Sequence, residues 1–235
     1  MLFPATTRGD GALIADLSKD HITIQSNFSG EKLLLFGAID AADSNVATDI
    51  VVVLRSPAED FMVRRKQKHF GIWINSDSFL LGPLPSFFAM SSSRALDRIA
   101  PAGEQKKHAL LPRYLSTNLQ NMPQKEVLDG FIRLRHRAGL YSANEQGVTI
   151  LNNRLFRAEI DLPSGMPVGT YVTEFFAFRR GRLVGYQTGE LPVDIVGAGH
   201  ILHQAAHENP LIYGLVGVMI AGFMGWGGAL VFRRK

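Results

Sequence analysis

The sequence predicts a mainly β chain: an immunoglobulin-like β-sandwich with a helical insertion, followed by one C-terminal transmembrane α-helix. Three observations lead there. Before residue 198 the apolar pattern has period two, clearest over 156–162, where Phe156, Ala158, Ile160 and Leu162 alternate with Arg157, Glu159 and Asp161. Helical spacing is confined to a stretch near 92–142. Finally, residues 211–232 contain no charged side chain.

Taken in order, His21-Ile-Thr-Ile-Gln alternates, and Asn27-Phe-Ser-Gly turns the chain into Lys32-Leu-Leu-Leu-Phe-Gly. Asp49-Ile-Val-Val-Val-Leu-Arg is a continuous β-branched run, expected of a central strand buried on both faces. Arg64, Arg65, Lys66, Lys68 and His69 alternate on a strand, which predicts an edge strand protected by charge. Ser93 to Ala100 suits a short helix, and Pro123 opens a longer one with Val127, Leu128, Phe131, Leu134 and Arg135 at helical spacing. After residue 162, Pro163-Ser-Gly-Met-Pro-Val-Gly is a turn cluster leading into Thr170-Tyr-Val-Thr-Glu-Phe-Phe-Ala-Phe. Arg180-Gly181 then reverses the chain into a hairpin.

The expected organisation is an N-terminal segment (1–11), the β domain (12–197) with its insertion, a juxtamembrane helix (198–209), the transmembrane helix (210–232) and a basic tail (233–235). The 22 residues 211–232 would span roughly 33 Å as a helix, which matches a hydrocarbon core of about 30 Å. Arg233, Arg234 and Lys235 follow the span, and residues 190–209 contain no Lys or Arg. The positive-inside rule therefore puts the C-terminus in the cytoplasm and the β domain in the periplasm of a bacterial inner membrane. Met1 to Asp10 lacks the apolar run of a signal peptide, so the expected start lies upstream; a tail-anchored cytoplasmic domain is the alternative.

Composition narrows the function classes. A content of 46% hydrophobic and 20% charged residues excludes general disorder. With no cysteine, there are no disulfides, thiolate metal sites or cysteine nucleophiles. The net charge is +4, but three of those charges are the terminal Arg-Arg-Lys, which leaves too little elsewhere for a nucleic-acid partner.

Several segments together resemble a known family. They are Ala15-Asp-Leu-Ser, Leu34-Leu-Phe-Gly-Ala-Ile-Asp, Asp49-Ile-Val-Val-Val-Leu-Arg, Val63-Arg-Arg-Lys, Gly71-Ile-Trp-Ile-Asn, Pro85-Ser-Phe-Phe, Leu155-Phe-Arg-Ala and Pro167-Val-Gly-Thr-Tyr. With the C-terminal apolar segment, they resemble an alphaproteobacterial family of transmembrane proteins that has no established reaction. The resemblance implies an inner-membrane anchor with a periplasmic domain. It also implies a neighbouring permease of the sulfite-exporter type as a partner.

Candidate chemistry is sparse. His200, His203 and His207 fall at i, i+3 and i+7 on one helical face, where an adjacent pair could bind Zn²⁺ or Cu²⁺ through imidazole nitrogens. All three cannot share one ion, because His200 and His207 stand about 10 Å apart along a helix axis. The structural alternative leaves the imidazoles at the polar interface without a ligand. Asp40, Asp43 and Asp49 gather near a turn, where a loop role or a weak cation site is expected, and Trp73 reads as core. No nucleophile elbow, zincin motif, phosphate loop or dinucleotide fingerprint occurs. Within the apolar segment, Gly217, Ala221, Gly225 and Ala229 recur every fourth residue, a small-residue ridge suited to helix–helix contact in lipid. The functional expectation is a non-catalytic accessory or binding protein. It would contact the lipid bilayer and would have a membrane partner, such as a permease, or another copy of itself. A metal-handling or enzymatic role through the histidines is the alternative.

Overall fold

The computed structural model describes residues 13–25, 28–39, 47–115 and 124–195, together with Met219 and Gly222. The chain divides into two compact units, Met1–Ile22 with Phe28–Asp194, and Thr23–Asn27 with Ile195–Lys235. In the second unit the described residues are 23–25, Ile195, and the exposed helical Met219 and Gly222.

The elements in chain order are β1 (Leu13–Leu17), β2 (Ile22–Ile24), β3 (Glu31–Ile39), β4 (Asp49–Arg55), β5 (Ala58–His69), β6 (Ile72–Pro85) and β7 (Phe88–Ser92). Next come α1 (Leu96–Ile99), α2 (Ala102–Lys107), a 3-10 turn (Pro112–Tyr114) and α3 (Gln124–Arg137). The chain then returns to strand with β8 (Tyr141–Asn144), β9 (Val148–Leu151), β10 (Leu155–Leu162), β11 (Gly169–Arg179) and β12 (Arg182–Ile195).

These strands make a four-stranded sheet β1-β3-β10-β9, a six-stranded sheet β2-β12-β11-β4-β7-β8, and the separate hairpin β5-β6. The larger sheets meet through their apolar faces. On β10 every second residue is buried, and the Phe156 ring lies 6.1 Å from that of Phe175 on β11. Gly37 sits opposite Phe156, where a Cβ would collide with the Phe156 ring and the Ile14 carbonyl; the aromatic fills the space above the glycine. In immunoglobulin letters the small sheet runs A-B-E-D, and the large one continues G-F-C-C′ beside its edge strand. Tyr171, near the start of β11, donates its hydroxyl to Pro167 O at 2.7 Å, as in a tyrosine corner.

The run from Asp49 to Leu54 on β4 is buried throughout because both faces are covered. One face meets the four-stranded sheet. Over the other lies the excursion between β7 and β8 that carries the helices. There Phe88 packs on Tyr141 at 5.9 Å, Tyr141 on Phe131 of α3 at 5.9 Å, and Phe131 on Phe61 of β5 at 4.9 Å. Leu134, expected on the apolar stripe of α3, faces solvent instead, because the helix contacts the sheet through Phe131 and leaves its last turns outside.

The expected fold class needs correction in two respects. First, β5 and β6 form a third sheet between β4 and β7, and β8 joins β7 in parallel, so the domain is more than a plain sandwich with a helical insertion. Period-two patterning identifies strands but does not say which sheet they join. Second, the C-terminal transmembrane helix is not supported: among the described residues no helix is long and apolar enough to cross a membrane. Of residues 210–232, only Met219 and Gly222 are described. Apolar length makes a segment a candidate span, and the correction extends no further than the described residues.

Candidate functional site

His200, His203 and His207 lie outside the described residues, as do Gly217, Ala221, Gly225 and Ala229. Among the described residues no three His, Cys, Asp or Glu side chains come together in a way that could hold a metal ion. Asp40 and Asp43 also lie outside. Asp49 is buried and accepts from Arg94 Nε at 2.7 Å, Arg94 Nη2 at 2.5 Å and Ser93 Oγ at 3.1 Å. It is thus a structural clamp on the start of the helical excursion. Pairing with this carboxylate holds the Arg94 pKa above its ordinary value.

The excursion encloses one charged cluster against β4, β11 and β12. Arg55 Nη2 donates to the carbonyls of His108 (2.8 Å) and Ala109 (3.0 Å), while Nη1 stands 2.8 Å from Glu174 Oε2. The last contact is an ion pair by distance but lacks hydrogen-bond alignment. Tyr186 donates its hydroxyl to Glu174 Oε1 at 3.1 Å. Burial, reinforced by the charge and hydrogen bond of Glu174, pushes the Tyr186 pKa up to about 12. The His108 ring packs 5.2 Å from Phe176, with Nε2 at 3.4 Å from Glu104 Oε2. The two backbone carbonyls that Nη2 contacts belong to the excursion, so the cluster fastens the excursion to the sheet, while Arg55 Nε is buried without a hydrogen-bond partner. A cleft of about 510 Å³ lies between α1–α2 and the β11–β12 turn, lined by Asp97, Arg98, Arg180 and Arg182 among others. It is a shallow surface feature.

The feature that the core does not explain is on the open face of the four-stranded sheet. Ile14 on β1 pairs with Ala38 on β3, Ala38 with Leu155 on β10, and Leu155 with Leu151 on β9. Partners across an antiparallel ladder share a face, so these four residues form one apolar row spanning the sheet. All are exposed, Ile14 at 68%, Leu155 at 54% and Leu151 at 52%, and Phe36 in the next row adds another 43%-exposed ring. The neighbouring rows are charged, with Asp16 and Arg157 flanking Phe36, and Lys32 opposite Asp161. A contiguous apolar patch within a polar sheet face marks an interaction surface. Sequence reading missed it, although a signal was present: on the inward-facing pattern of β10, Leu155 has the phase of Arg157 and Glu159, where a polar residue belongs.

The fold and this face define a class: a mainly β domain with an exposed apolar row across its four-stranded sheet. Residues 12–234 match the family described as "Putative transmembrane protein (Alph_Pro_TM)", and the chain belongs to that family. The resemblance read from its sequence segments is thereby borne out, and the family description identifies the chain as a membrane protein. A comparison with curated proteins returns no match.

Proposed function

We propose that this chain is a non-catalytic accessory protein of the bacterial inner membrane, its β domain in the periplasm and its C-terminus in the cytoplasm, that binds a membrane protein partner such as a permease. The observation that carries this reading is the exposed row Ile14–Ala38–Leu155–Leu151. Strands lie about 4.8 Å apart, so four in register offer an apolar row roughly 14 Å long. An exposed row of that length suits a protein surface, whereas small solutes are held in concave sites. Family membership supports the membrane setting, and the Arg233-Arg234-Lys235 terminus supports the orientation.

The test is site-specific photo-crosslinking in intact cells. A photoreactive amino acid at Leu155 or Ile14 is expected to give a discrete adduct with a multispanning membrane protein, and one at the exposed Glu145 none. Leu155→Glu, which faces solvent and leaves the core untouched, should abolish the adduct formed from position 14. Adduct yields that do not differ between Leu155 and Glu145 would refute the docking role of this face.

A further inference from the structure

The β5–β6 hairpin has features that its own packing does not require. Its base is anchored: Phe79 and Leu81 are buried, and Phe61 packs on Phe131 with the Arg135 guanidinium 4.5 Å from the Phe61 ring centroid. Beyond the base the strands continue as a free two-stranded ribbon, pairing out to His69 and Ile72. From Arg64 to Ile72 every described side chain (Arg64, Lys66, Phe70 and Ile72) is exposed.

The charge on this ribbon is segregated along its length. Residues 62–76 contain Arg64, Arg65, Lys66, Lys68 and His69 and no acidic residue, while Glu59, Asp60 and Asp77 sit toward the base. The tip combines that positive charge with two apolar residues, Phe70 at 106% exposure and Ile72 at 67%. Furthermore, the two-residue turn places Phe70 at φ 48° and Gly71 at φ 86°. The left-handed region suits glycine and asparagine, and a bulky aromatic there is strained. The β9–β10 turn meets the same demand with Asn152 and Asn153, and the β11–β12 turn with Arg180 at φ 49° before Gly181. The fold therefore holds a fully exposed ring in a left-handed turn, with no packing partner for it among the described residues.

We infer that this tip is a membrane-surface probe: Phe70 and Ile72 enter the interfacial layer of an anionic bilayer while Arg64 and Lys66 lie against its phosphates. An aromatic ring is at home at the headgroup level, and basic side chains near an anionic surface add attraction that falls off within a Debye length. A protein partner for the ribbon would have to present an acidic groove with an apolar floor. An anionic bilayer supplies both parts of that chemistry, and the chain belongs to a membrane protein family. The inference does not depend on the apolar row of the four-stranded sheet, which lies on a different sheet.

The natural absence of cysteine allows a direct test on the full chain. Ile72→Cys is labelled with an environment-sensitive nitrobenzoxadiazole dye, and Glu145→Cys serves as the control. The labelled chains are reconstituted in vesicles of phosphatidylethanolamine with phosphatidylglycerol, or of phosphatidylcholine alone. The expected result is blue-shifted emission and quenching by lipid-borne nitroxide for the label at 72 in the anionic vesicles only. The effect should be lost at high salt, in Arg64→Glu/Lys66→Glu, and in Phe70→Ser, with the circular dichroism of each variant unchanged. Emission at 72 that stays polar in both vesicles, or burial equal in both, would overturn the inference. So would burial that appears only when a membrane protein is added.

Discussion

Gln187 holds Ala15 by both of its backbone groups: Oε1 accepts from the Ala15 N–H and Nε2 donates to the Ala15 carbonyl, each at 2.7 Å. The residues are 172 positions apart, one on β12 of the six-stranded sheet and the other on β1 at the edge of the four-stranded sheet. The side-chain amide does for this edge residue what a further strand would do, and it bridges the two sheets where they meet. Gln187→Leu is similar in size but cannot pair, so it leaves a buried N–H and a buried carbonyl unsatisfied. Each such group costs about 1–3 kcal/mol. Denaturant unfolding should therefore give a loss of about 2–4 kcal/mol at unchanged slope, and a loss below about 0.5 kcal/mol would contradict the staple.

Arg55 and Glu174 predict an asymmetric outcome. Their side chains are largely buried, at 21% and 14% exposure, and each is the other's charge partner. Removing Arg55 leaves a buried carboxylate and releases the carbonyls of His108 and Ala109. Arg55→Ala should thus destabilise by about 3–5 kcal/mol. The double replacement Arg55→Met/Glu174→Leu should recover a good part of that, because it leaves no charge behind. A double variant no more stable than Arg55→Ala would show that the carbonyl clamp matters more than the ion pair.

Alkaline titration tests the burial of Tyr186. Its ordinary pKa of 10.0 is pushed up to about 12 in the folded chain, chiefly by burial and then by Glu174. Burial also raises the hydroxyls of Tyr141, which donates to Pro85 O, and of Tyr171. A folded-state pKa above the unfolded value means that the stabilising contribution is complete below pH 10 and is lost as the pH rises toward 12. Stability measured by chemical denaturation should begin to fall near pH 10, and Tyr186→Phe should make that fall shallower. A slope identical in wild type and Tyr186→Phe would mean that Tyr186 titrates as if exposed.

Much of the architecture was readable from the sequence alone. β10 was legible because its alternation matches the pleat, β4 because an unbroken β-branched run requires cover on both sides, and α3 because Phe131 and its neighbours repeat with helical spacing. Family membership was also legible, because short segments spread along the chain carry it. These are local properties, set by side-chain volume, branching and backbone periodicity within a few residues.

Only the tertiary structure decided the rest. That Leu151, Leu155, Ala38 and Ile14 form one row depends on the register of three ladders, and register lies between strands rather than within any one of them. The bond from Gln187 to Ala15 depends on how two sheets meet, and nothing near either residue announces it. Among the described residues the strands of the long β5–β6 hairpin pair with each other, which a strand-forming sequence does not specify. Hydropathy likewise marked residues 210–232 as apolar enough for a membrane, and of that segment only Met219 and Gly222 are among the described residues. Composition and periodicity thus determined what kind of surface each segment offers. Which surfaces face one another, and which are left open, was decided by long-range pairing alone.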